Sequence, residues 1–179
     1  MNLILIGYRA TGKTTLARRL AARLGWEWID ADVEIERRAG KSIARVFAED
    51  GEPAFRDLEA QTIADLCRAE RLVLAAGGGA PLRPESRQAM RACGRVVWLT
   101  ASPETILSRM SADASTPGRR PSLTDKDPLD EIVQLLARRE PIYREAAHLV
   151  IDTEGKGPET LTEEILARLD FRPDLETSP

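Results

Sequence analysis

The chain has 179 residues, of which 42% are hydrophobic but only 4% are aromatic. This length is sufficient for one domain with a good hydrophobic core, which Val, Ile, Leu and Ala must build. The 26 basic and 29 acidic residues leave a net charge of −3, which gives no electrostatic reason to expect nucleic acid or an anionic membrane as a partner.

Other features of the chain favour a cytoplasmic location. The two cysteines, Cys67 and Cys93, show neither C-x-x-C nor metal-ligand spacing, which predicts a reducing compartment and no disulfide framework. No apolar run approaches the roughly 20 residues of a membrane span. The N-terminus carries no basic region and no cleavage-type segment, so we expect a cytoplasmic protein without membrane contact.

The first predicted elements are a strand, a glycine-rich turn and a helix. Residues 3–6 form an apolar run typical of a buried strand, and leucines recur at helical spacing after residue 14. Between them, residues 7–14 read Gly-Tyr-Arg-Ala-Thr-Gly-Lys-Thr and fit G-x-x-x-x-G-K-[ST], the phosphate-binding P-loop. A chance glycine turn is the alternative, and the correct order of strand, motif and helix argues against it.

The residue types in this motif suit the binding of a nucleotide phosphate. Gly7 and Gly12 let the backbone turn tightly and approach an anion. The loop amides and the helix N-terminus then point at phosphate oxygens, where the helix dipole favours negative charge. Lys13 supplies a positive charge for the β- and γ-phosphates, and the Thr14 hydroxyl is placed to bind Mg²⁺.

A short predicted strand over residues 26–29 leads to Asp30 and Asp32, before a helix predicted from Val33 to about Ala39. Because alternate residues of an extended segment point to opposite sides, we expect the two carboxylates to have different roles. One can face the metal, and the other can orient an acceptor hydroxyl and take its proton. Alternatively, Asp32 is only the N-cap of the next helix, but the neighbouring P-loop favours the catalytic interpretation.

Two helices are predicted next, over about residues 42–51 and 53–69, from a serine at an N-cap and a proline in a first turn. On the second helix, Arg56 and Glu59 are three residues apart and share a face. They are either an ordinary surface ion pair or a guanidinium that Glu59 holds for a substrate carboxylate.

A predicted buried strand over residues 72–76 runs directly into Gly77, Gly78 and Gly79. This glycine run has two interpretations. Its backbone could lie flat against a small polar ligand and donate amides to it, or it could be a plain loop.

The remaining predicted elements alternate between helix and strand. Pro141 should kink the long helix on which it lies or begin a new one. Such an irregularity could aim Arg139 into a cleft. Otherwise, Arg139 lies on an exposed face. His148 is expected to be structural. The helices are expected near residues 84–93, from 102, over 128–147 and over 158–169, and the strands over 96–99 and 148–151.

Residues 111–126 are polar, rich in Pro, Gly and Arg, and predict a mobile loop. The loop is either a basic solvated segment or a lid. An arginine-bearing lid would close over the γ-phosphate, exclude water and offset developing charge. The end of the chain, residues 171–179, is expected to be loose.

The alternation of strands and helices predicts an α/β fold with a parallel sheet covered on both faces. Ligands of such sheets bind outside the carboxyl ends of the strands. The candidate residues at such strand ends are Thr14, Asp30, Asp32, Gly77, Gly78 and Gly79.

Taken in order, the motifs resemble those of the shikimate kinases: the P-loop, Asp-x-Asp after the second strand, Phe-Arg-x-x-Glu, Gly-Gly-Gly, Arg-Pro in the lid and Arg-x-Pro-x-Tyr. The resemblance covers about residues 1–170 and implies one three-layer P-loop kinase domain, similar to nucleoside monophosphate kinases. It implies a central five-stranded parallel sheet flanked by helices, a substrate-binding region at about 32–60 and a mobile lid at about 111–126.

The resemblance also implies an activity. Shikimate kinases transfer the γ-phosphoryl group of ATP to the 3-hydroxyl of shikimate with Mg²⁺, a step toward chorismate and the aromatic amino acids. The expected partners are therefore ATP and shikimate, and we expect a monomer.

Site roles are carried over from the family by motif. The catalytic residues would be Lys13, Asp32 and Arg120, with Arg119 the alternative to Arg120. Arg56 and Arg139 would clamp the shikimate carboxylate, and Arg109 resembles the family's adenine-stacking arginine. Thr14 and Asp30 would serve Mg²⁺. The shikimate-binding residues would be Asp30, Asp32, Arg56, Gly77, Gly78, Gly79 and Arg139. The ATP-binding residues would be Gly7, Ala10, Thr11, Gly12, Lys13, Thr14, Thr15, Arg109, Arg120 and Lys156.

Two alternatives stay open at this point. Another small-metabolite kinase of this fold, such as a gluconate or nucleotide kinase, would share the phosphate loop, but two arginines with Asp32 suit a hydroxylated carboxylic acid better. A non-catalytic nucleotide-binding domain would most simply have lost Lys13, Asp32 or the lid arginine, and all are present.

Overall fold

The computed structural model describes residues 1–112 and 127–171 of the chain. Within them, five strands form one sheet in the order β2-β3-β1-β4-β5, and every neighbouring pair is parallel. The predicted five-stranded parallel sheet is therefore confirmed. The strands are β1 Asn2–Ile6, β2 Glu27–Asp30, β3 Leu72–Ala75, β4 Gly94–Thr100 and β5 Leu149–Asp152.

Helices connect the strands and cover both faces of the sheet. Gly25 and Gly40 end the first two helices in the left-handed conformation, as glycine at a helix C-terminus predicts. The helices are α1 Lys13–Leu24, α2 Ala31–Ala39, α3 Ile43–Glu49, α4 Gly51–Leu66, α5 Pro84–Cys93, α6 Pro103–Ala112, α7 Pro128–Ala146 and α8 Pro158–Arg168, with a short 3₁₀ helix at Ala80–Leu82.

The core lies on the two sides of the central strand β1, all of whose residues are buried. Leu3 and Leu5 pack on one face with α1 and α8, whereas Ile4 and Ile6 pack on the other with α4, α5 and α7. Since successive side chains of a strand point to opposite faces, a strand buried on both faces is an unbroken apolar run. No helix among the described residues is long and apolar enough to cross a membrane.

Several predicted element boundaries are corrected by the structure. α2 begins at Ala31 and not at Val33, because the Asp30 carboxylate accepts a hydrogen bond from the Asp32 backbone N–H and caps the helix. α4 begins at Gly51 and ends at Leu66, so it starts two residues before the predicted proline. α7 continues through Pro141, which does not begin a new helix.

His148 has the expected structural role, because its Nδ1 accepts a hydrogen bond from the backbone N–H of Val96 at 3.0 Å. Residues 113–126 hold most of the predicted lid, including Arg119 and Arg120, and lie outside the described residues. The predicted tail lies outside them as well from residue 172 onward.

Candidate active site

The phosphate loop connects β1 to α1 at the carboxyl edge of the sheet. Gly7 and Gly12 have φ values of 142° and 91°, which glycine adopts without strain. A Cβ atom on Gly7 would lie 2.5 Å from the Leu99 carbonyl oxygen, so this position also requires glycine for space. Ala10 adopts φ 60°, the left-handed conformation that a glycine would adopt without strain.

The side chain of Lys13 lies over the phosphate loop. Its Nζ donates to the carbonyl oxygens of Gly7 and Tyr8 at 3.0 and 2.7 Å. Thr11, which is buried, donates its hydroxyl to the Tyr8 carbonyl at 2.8 Å and stiffens the turn. The ammonium group is thus held beside the loop amides, where a phosphate would sit.

Thr14 and Asp30 meet where α1 begins and β2 ends. The Thr14 hydroxyl donates to Oδ2 of Asp30 at 2.6 Å, while Oδ1 of Asp30 accepts the Asp32 N–H at 3.0 Å. A hydroxyl and a carboxylate are hard oxygen donors that suit Mg²⁺, which is usually bound by one or two carboxylates together with substrate phosphates and waters. Among the described residues, no group of three or more His, Cys, Asp or Glu could hold a metal ion by itself.

Asp32 does not lie in an extended segment, as the sequence interpretation assumed, but in the first turn of α2. A Cβ atom on Gly77 would lie 2.5 Å from Oδ1 of Asp32 and 3.3 Å from Oε1 of Glu59. A Cβ atom on Gly79 would collide with the Arg56 guanidinium. Both glycines therefore lie directly against charged side chains.

Arg56 is not part of an ordinary surface ion pair. Its Nη1 donates to Oε2 of Glu59 at 2.6 Å, and the exposed fractions of the two side chains are 17% and 3%. Glu52, one turn earlier on α4, accepts from the same guanidinium at 3.2 Å. A guanidinium held on two sides in this way loses little freedom when it binds a carboxylate.

Arg139 reaches the same place from α7. Its Nη1 lies 3.4 Å from the Gly78 carbonyl oxygen, and its guanidinium lies over the Tyr8 ring at 5.7 Å. Tyr143, one helical turn later, is fully buried and donates its hydroxyl to the same Gly78 oxygen at 2.6 Å. A Cβ atom on Gly78 would lie 3.3 Å from the Gly7 carbonyl oxygen, so this glycine also touches the phosphate loop.

Tyr143 is a residue of this site that is not among those predicted from the sequence. The sequence feature that could have indicated Tyr143 is the spacing in Arg-x-Pro-x-Tyr. It places the tyrosine four residues after Arg139, on the same helix face. The partner of the hydroxyl, the Gly78 carbonyl, is 65 positions away in the chain and is visible only in the folded structure.

The other described residues that were predicted to bind the nucleotide, Arg109 and Lys156, lie near β5, an edge strand of the sheet. Arg109 on α6 donates to the Thr153 hydroxyl at 2.9 Å and to the Thr153 carbonyl at 3.1 Å. The neighbouring Glu154 accepts from the Ser102 N–H at 2.6 Å and from Thr105, and the Ser102 backbone bond is the largest cause of the lowered pKa of this carboxyl. The segment after β5 is thereby fastened to the start of α6.

The structure thus brings most of the predicted residues into two neighbouring groups. Lys156 stands apart from both, with its ammonium on Glu164 of α8 at 2.7 Å. Arg120 lies outside the described residues. The first group is the phosphate loop with Asp30, and the second comprises Asp32, Arg56, Gly77, Gly78, Gly79 and Arg139.

Comparison with known proteins agrees with this geometry. The shikimate kinase of Pseudomonas savastanoi pv. phaseolicola (strain 1448A / Race 6) is 48% identical over 168 residues, which cover 94% of this chain and 95% of the relative. The solved structure of a shikimate kinase from Acinetobacter baumannii in complex with shikimate has a TM-score of 0.87 and 36% identity, covering 98% of this chain and 95% of that one.

A deoxyadenosine kinase from M. mycoides with bound dATP shares the fold alone, with a TM-score of 0.63 and 13% identity over 95% of this chain and all of that one (100%). The predicted P-loop kinase fold, similar to that of nucleotide kinases, is therefore confirmed. The family model described as SKI, shikimate kinase, matches residues 9–170. The chain belongs to the shikimate kinase family.

Proposed function

We propose that this protein transfers the γ-phosphoryl group of ATP to the 3-hydroxyl of shikimate, with Mg²⁺, and releases ADP and shikimate 3-phosphate. The observation that carries the residue-level proposal is the position of the glycine segment Gly77–Gly79. It touches Asp32 and Arg56 on one side, Arg139 on another, and Gly7 of the phosphate loop. A carboxylate, two guanidinium groups and a phosphate cradle therefore border one small volume.

At the phosphate end, the loop amides and Lys13 would bind the β- and γ-phosphates. Their contribution is electrostatic, because positive groups held in place before the reaction stabilise the charge that spreads over the transferred phosphoryl oxygens. Thr14 and Asp30 would hold Mg²⁺, which when bound neutralises negative charge on the phosphates. Asp30 is fixed for this task because its second oxygen caps α2.

At the acceptor end, Asp32 would accept a hydrogen bond from the 3-hydroxyl, orient its oxygen toward the γ-phosphorus and take the proton as the new bond forms. In a loose phosphoryl-transfer transition state most of the benefit comes from orientation. The first turn of α2 suits this role, since the helix dipole favours an ionised carboxylate there.

Arg56 and Arg139 would bind the shikimate carboxylate between them, while the flat backbone of Gly78 and Gly79 would lie against the ring. Glu59 would keep the Arg56 guanidinium in place during turnover, because the carboxylate is buried and only 17% of the Arg56 side chain is exposed.

The other assignments are parts of the same proposal. Arg109 and Lys156 would contact the nucleotide base side. Arg120 would be the lid arginine, with Arg119 as the alternative. We further propose that residues 1–170 act as a single domain and that the enzyme is a cytoplasmic monomer.

The experiment is an ADP-release assay with ATP, Mg²⁺ and a panel of acceptors: shikimate, gluconate and nucleoside monophosphates. We expect turnover with shikimate and none above background with the others. The Lys13→Met variant, which keeps an unbranched side chain of nearly the same length but removes the charge, serves as the inactive control. Turnover with gluconate or a nucleotide and none with shikimate would contradict the proposal.

A further inference from the structure

Two cysteines lie together at the edge of the sheet opposite the candidate active site. Cys67 is the C-cap residue directly after α4, and Cys93 is the last residue of α5. Both are partly accessible free thiols that pack against the same apolar cluster, and the interaction between the two thiols is the largest influence on the pKa of each. Nothing in the proposed phosphoryl transfer uses them.

The segments that follow the two cysteines both meet Asn2 at the start of β1. Asn2 is buried, and its side chain donates to the Ala69 carbonyl at 2.7 Å and accepts from the Leu72 N–H at 3.1 Å. In the sheet, Asn2 is paired with Gly94, the residue after Cys93. The segment after Cys67 and the residue after Cys93 are therefore both fixed to the same position of β1.

The two thiols differ in their chemistry. Cys93 also donates to the Met90 carbonyl at 3.4 Å, at the end of α5. The hydrogen bond from Cys67 lowers the pKa of the Cys93 thiol to about 7, whereas the same contact together with burial raises the pKa of Cys67. Because the thiolate is the nucleophile in disulfide exchange, Cys93 is the thiol prepared to react first at neutral pH.

We propose that Cys67 and Cys93 are a thiol pair that forms a reversible intramolecular disulfide by exchange with a low-molecular-weight disulfide such as oxidised glutathione. Cys93 Sγ attacks one sulfur of the reagent, so that a mixed disulfide forms and one thiolate leaves. Cys67 then loses its proton to solvent and attacks Cys93 Sγ, which breaks the mixed disulfide and releases the second thiolate. The protein loses two electrons, and the reagent disulfide gains them and becomes two molecules of the free thiol.

The new bond would join the ends of α4 and α5 and close a loop that contains Gly77–Gly79. Closing a loop of this size restricts the unfolded chain, so the oxidised protein should have a melting temperature higher by roughly 5 to 10 °C. This inference does not depend on the proposed phosphoryl transfer.

The test uses the full-length protein in buffers of increasing ratio of oxidised to reduced glutathione, followed by alkylation of free thiols and peptide mapping without reduction. We expect a disulfide-linked peptide pair holding Cys67 and Cys93, the higher melting temperature, and reversal of both by dithiothreitol. Two thiols that both stay alkylatable in oxidised glutathione, or disulfides found only between chains, would overturn the proposal.

Two serine variants test the order of attack. In Cys67→Ser the reaction should stop at a glutathione mixed disulfide on Cys93, since no second thiol can release it. In Cys93→Ser the remaining Cys67 should react more slowly, because burial raises its pKa. Faster glutathionylation of Cys93→Ser than of Cys67→Ser would overturn the assignment of Cys93 as the attacking thiolate.

Discussion

The two ends of the candidate site are assembled over very different distances along the chain. In the phosphate loop, the side-chain hydrogen bonds of Thr11 and Lys13 to loop carbonyls join residues three to six positions apart, and that of Thr14 reaches Asp30, 16 positions away. On the acceptor side, the bonds to the Gly78 carbonyl come from Arg139 and Tyr143, which are 61 and 65 positions away. The loop that would hold the phosphates is thus mainly a local structure, whereas the contacts to the Gly78 carbonyl form only when the segment after β3 packs against α7.

This difference has a functional consequence. A contiguous loop keeps its geometry when distant side chains change, so ATP binding should survive most substitutions on the acceptor side. Shikimate binding, in contrast, should weaken when any one of the side chains that contact the glycine segment is replaced. Substitutions on the acceptor side should therefore change kcat or the KM for shikimate, whereas substitutions on the nucleotide side should change the KM for ATP.

The largest expected effect belongs to Asp32→Asn. The amide keeps the shape of the side chain but cannot take the proton of the acceptor hydroxyl, so kcat should fall by roughly 10²- to 10⁴-fold. The KM for ATP should stay within about twofold, because the phosphate cradle is unchanged. Initial rates over both substrate concentrations measure this, and an unchanged kcat would remove Asp32 from the mechanism.

Arg139→Ala should act mainly on shikimate binding. Loss of a charge-assisted hydrogen-bond partner should raise the KM for shikimate about 10- to 100-fold. The matched control is Arg138→Ala, which removes the neighbouring exposed arginine of the same helix and should leave this KM unchanged. An effect of Arg139→Ala confined to the KM for ATP would show that the clamp is placed wrongly.

Tyr143→Phe removes only the hydroxyl that binds the Gly78 carbonyl. The ring keeps its packing in the core, where it lies 5.7 Å from the Trp98 ring. We expect the KM for shikimate to rise about three- to tenfold, since one hydrogen bond to the glycine segment is lost. The KM for ATP in the same assay is the internal control, and equal losses for both substrates would point to a general structural role instead.

The same contrast explains what the sequence could reveal. The phosphate loop and the strands were predictable because a contiguous motif and an unbroken apolar run determine their own geometry. For Arg56 and Glu59, spacing showed a shared helix face but could not show burial, which depends on the glycine segment that packs against Arg56. Both interpretations of the pair therefore remained open until the fold was known.

The Asp30–Asp32 segment shows a different limit. Sequence reasoning treated it as extended and considered Asp32 as a possible helix cap, whereas Asp30 is the cap and Asp32 lies inside the first turn. Both aspartates are good capping residues, so propensity alone could not choose between them. Asp30 also accepts a hydrogen bond from the Thr14 hydroxyl, a contact from another element of the fold that spacing does not reveal.

Glu154→Gln tests whether loss of a long-range contact on the nucleotide side raises the KM for ATP, as loss of one on the acceptor side should raise the KM for shikimate. The carboxylate fastens the segment after β5 to the N-terminus of α6, which carries Arg109. The neutral amide should weaken these bonds and raise the KM for ATP about two- to fivefold, with the KM for shikimate unchanged. The reverse pattern would place this segment on the acceptor side.

The smallest effect is expected at His148, which lies outside both ends of the site and should separate stability from activity. Partial burial, followed by the charges of Arg91 and Arg95, lowers the pKa of the folded-state imidazole below 6.5. The unfolded chain therefore binds a proton more readily, so this contribution to stability is complete above about pH 6.5 and declines as the pH falls below it.

Protonation of His148 on Nδ1 would also break the hydrogen bond from Val96. In His148→Asn the side-chain oxygen can accept that bond at every pH, so the melting temperature should fall less between pH 7.5 and 5.5 than in the unsubstituted protein. Thermal unfolding at matched ionic strength measures the two slopes. Both KM values at pH 7.5 should be the same in the two proteins, and identical slopes would show that His148 does not contribute to the pH dependence of stability.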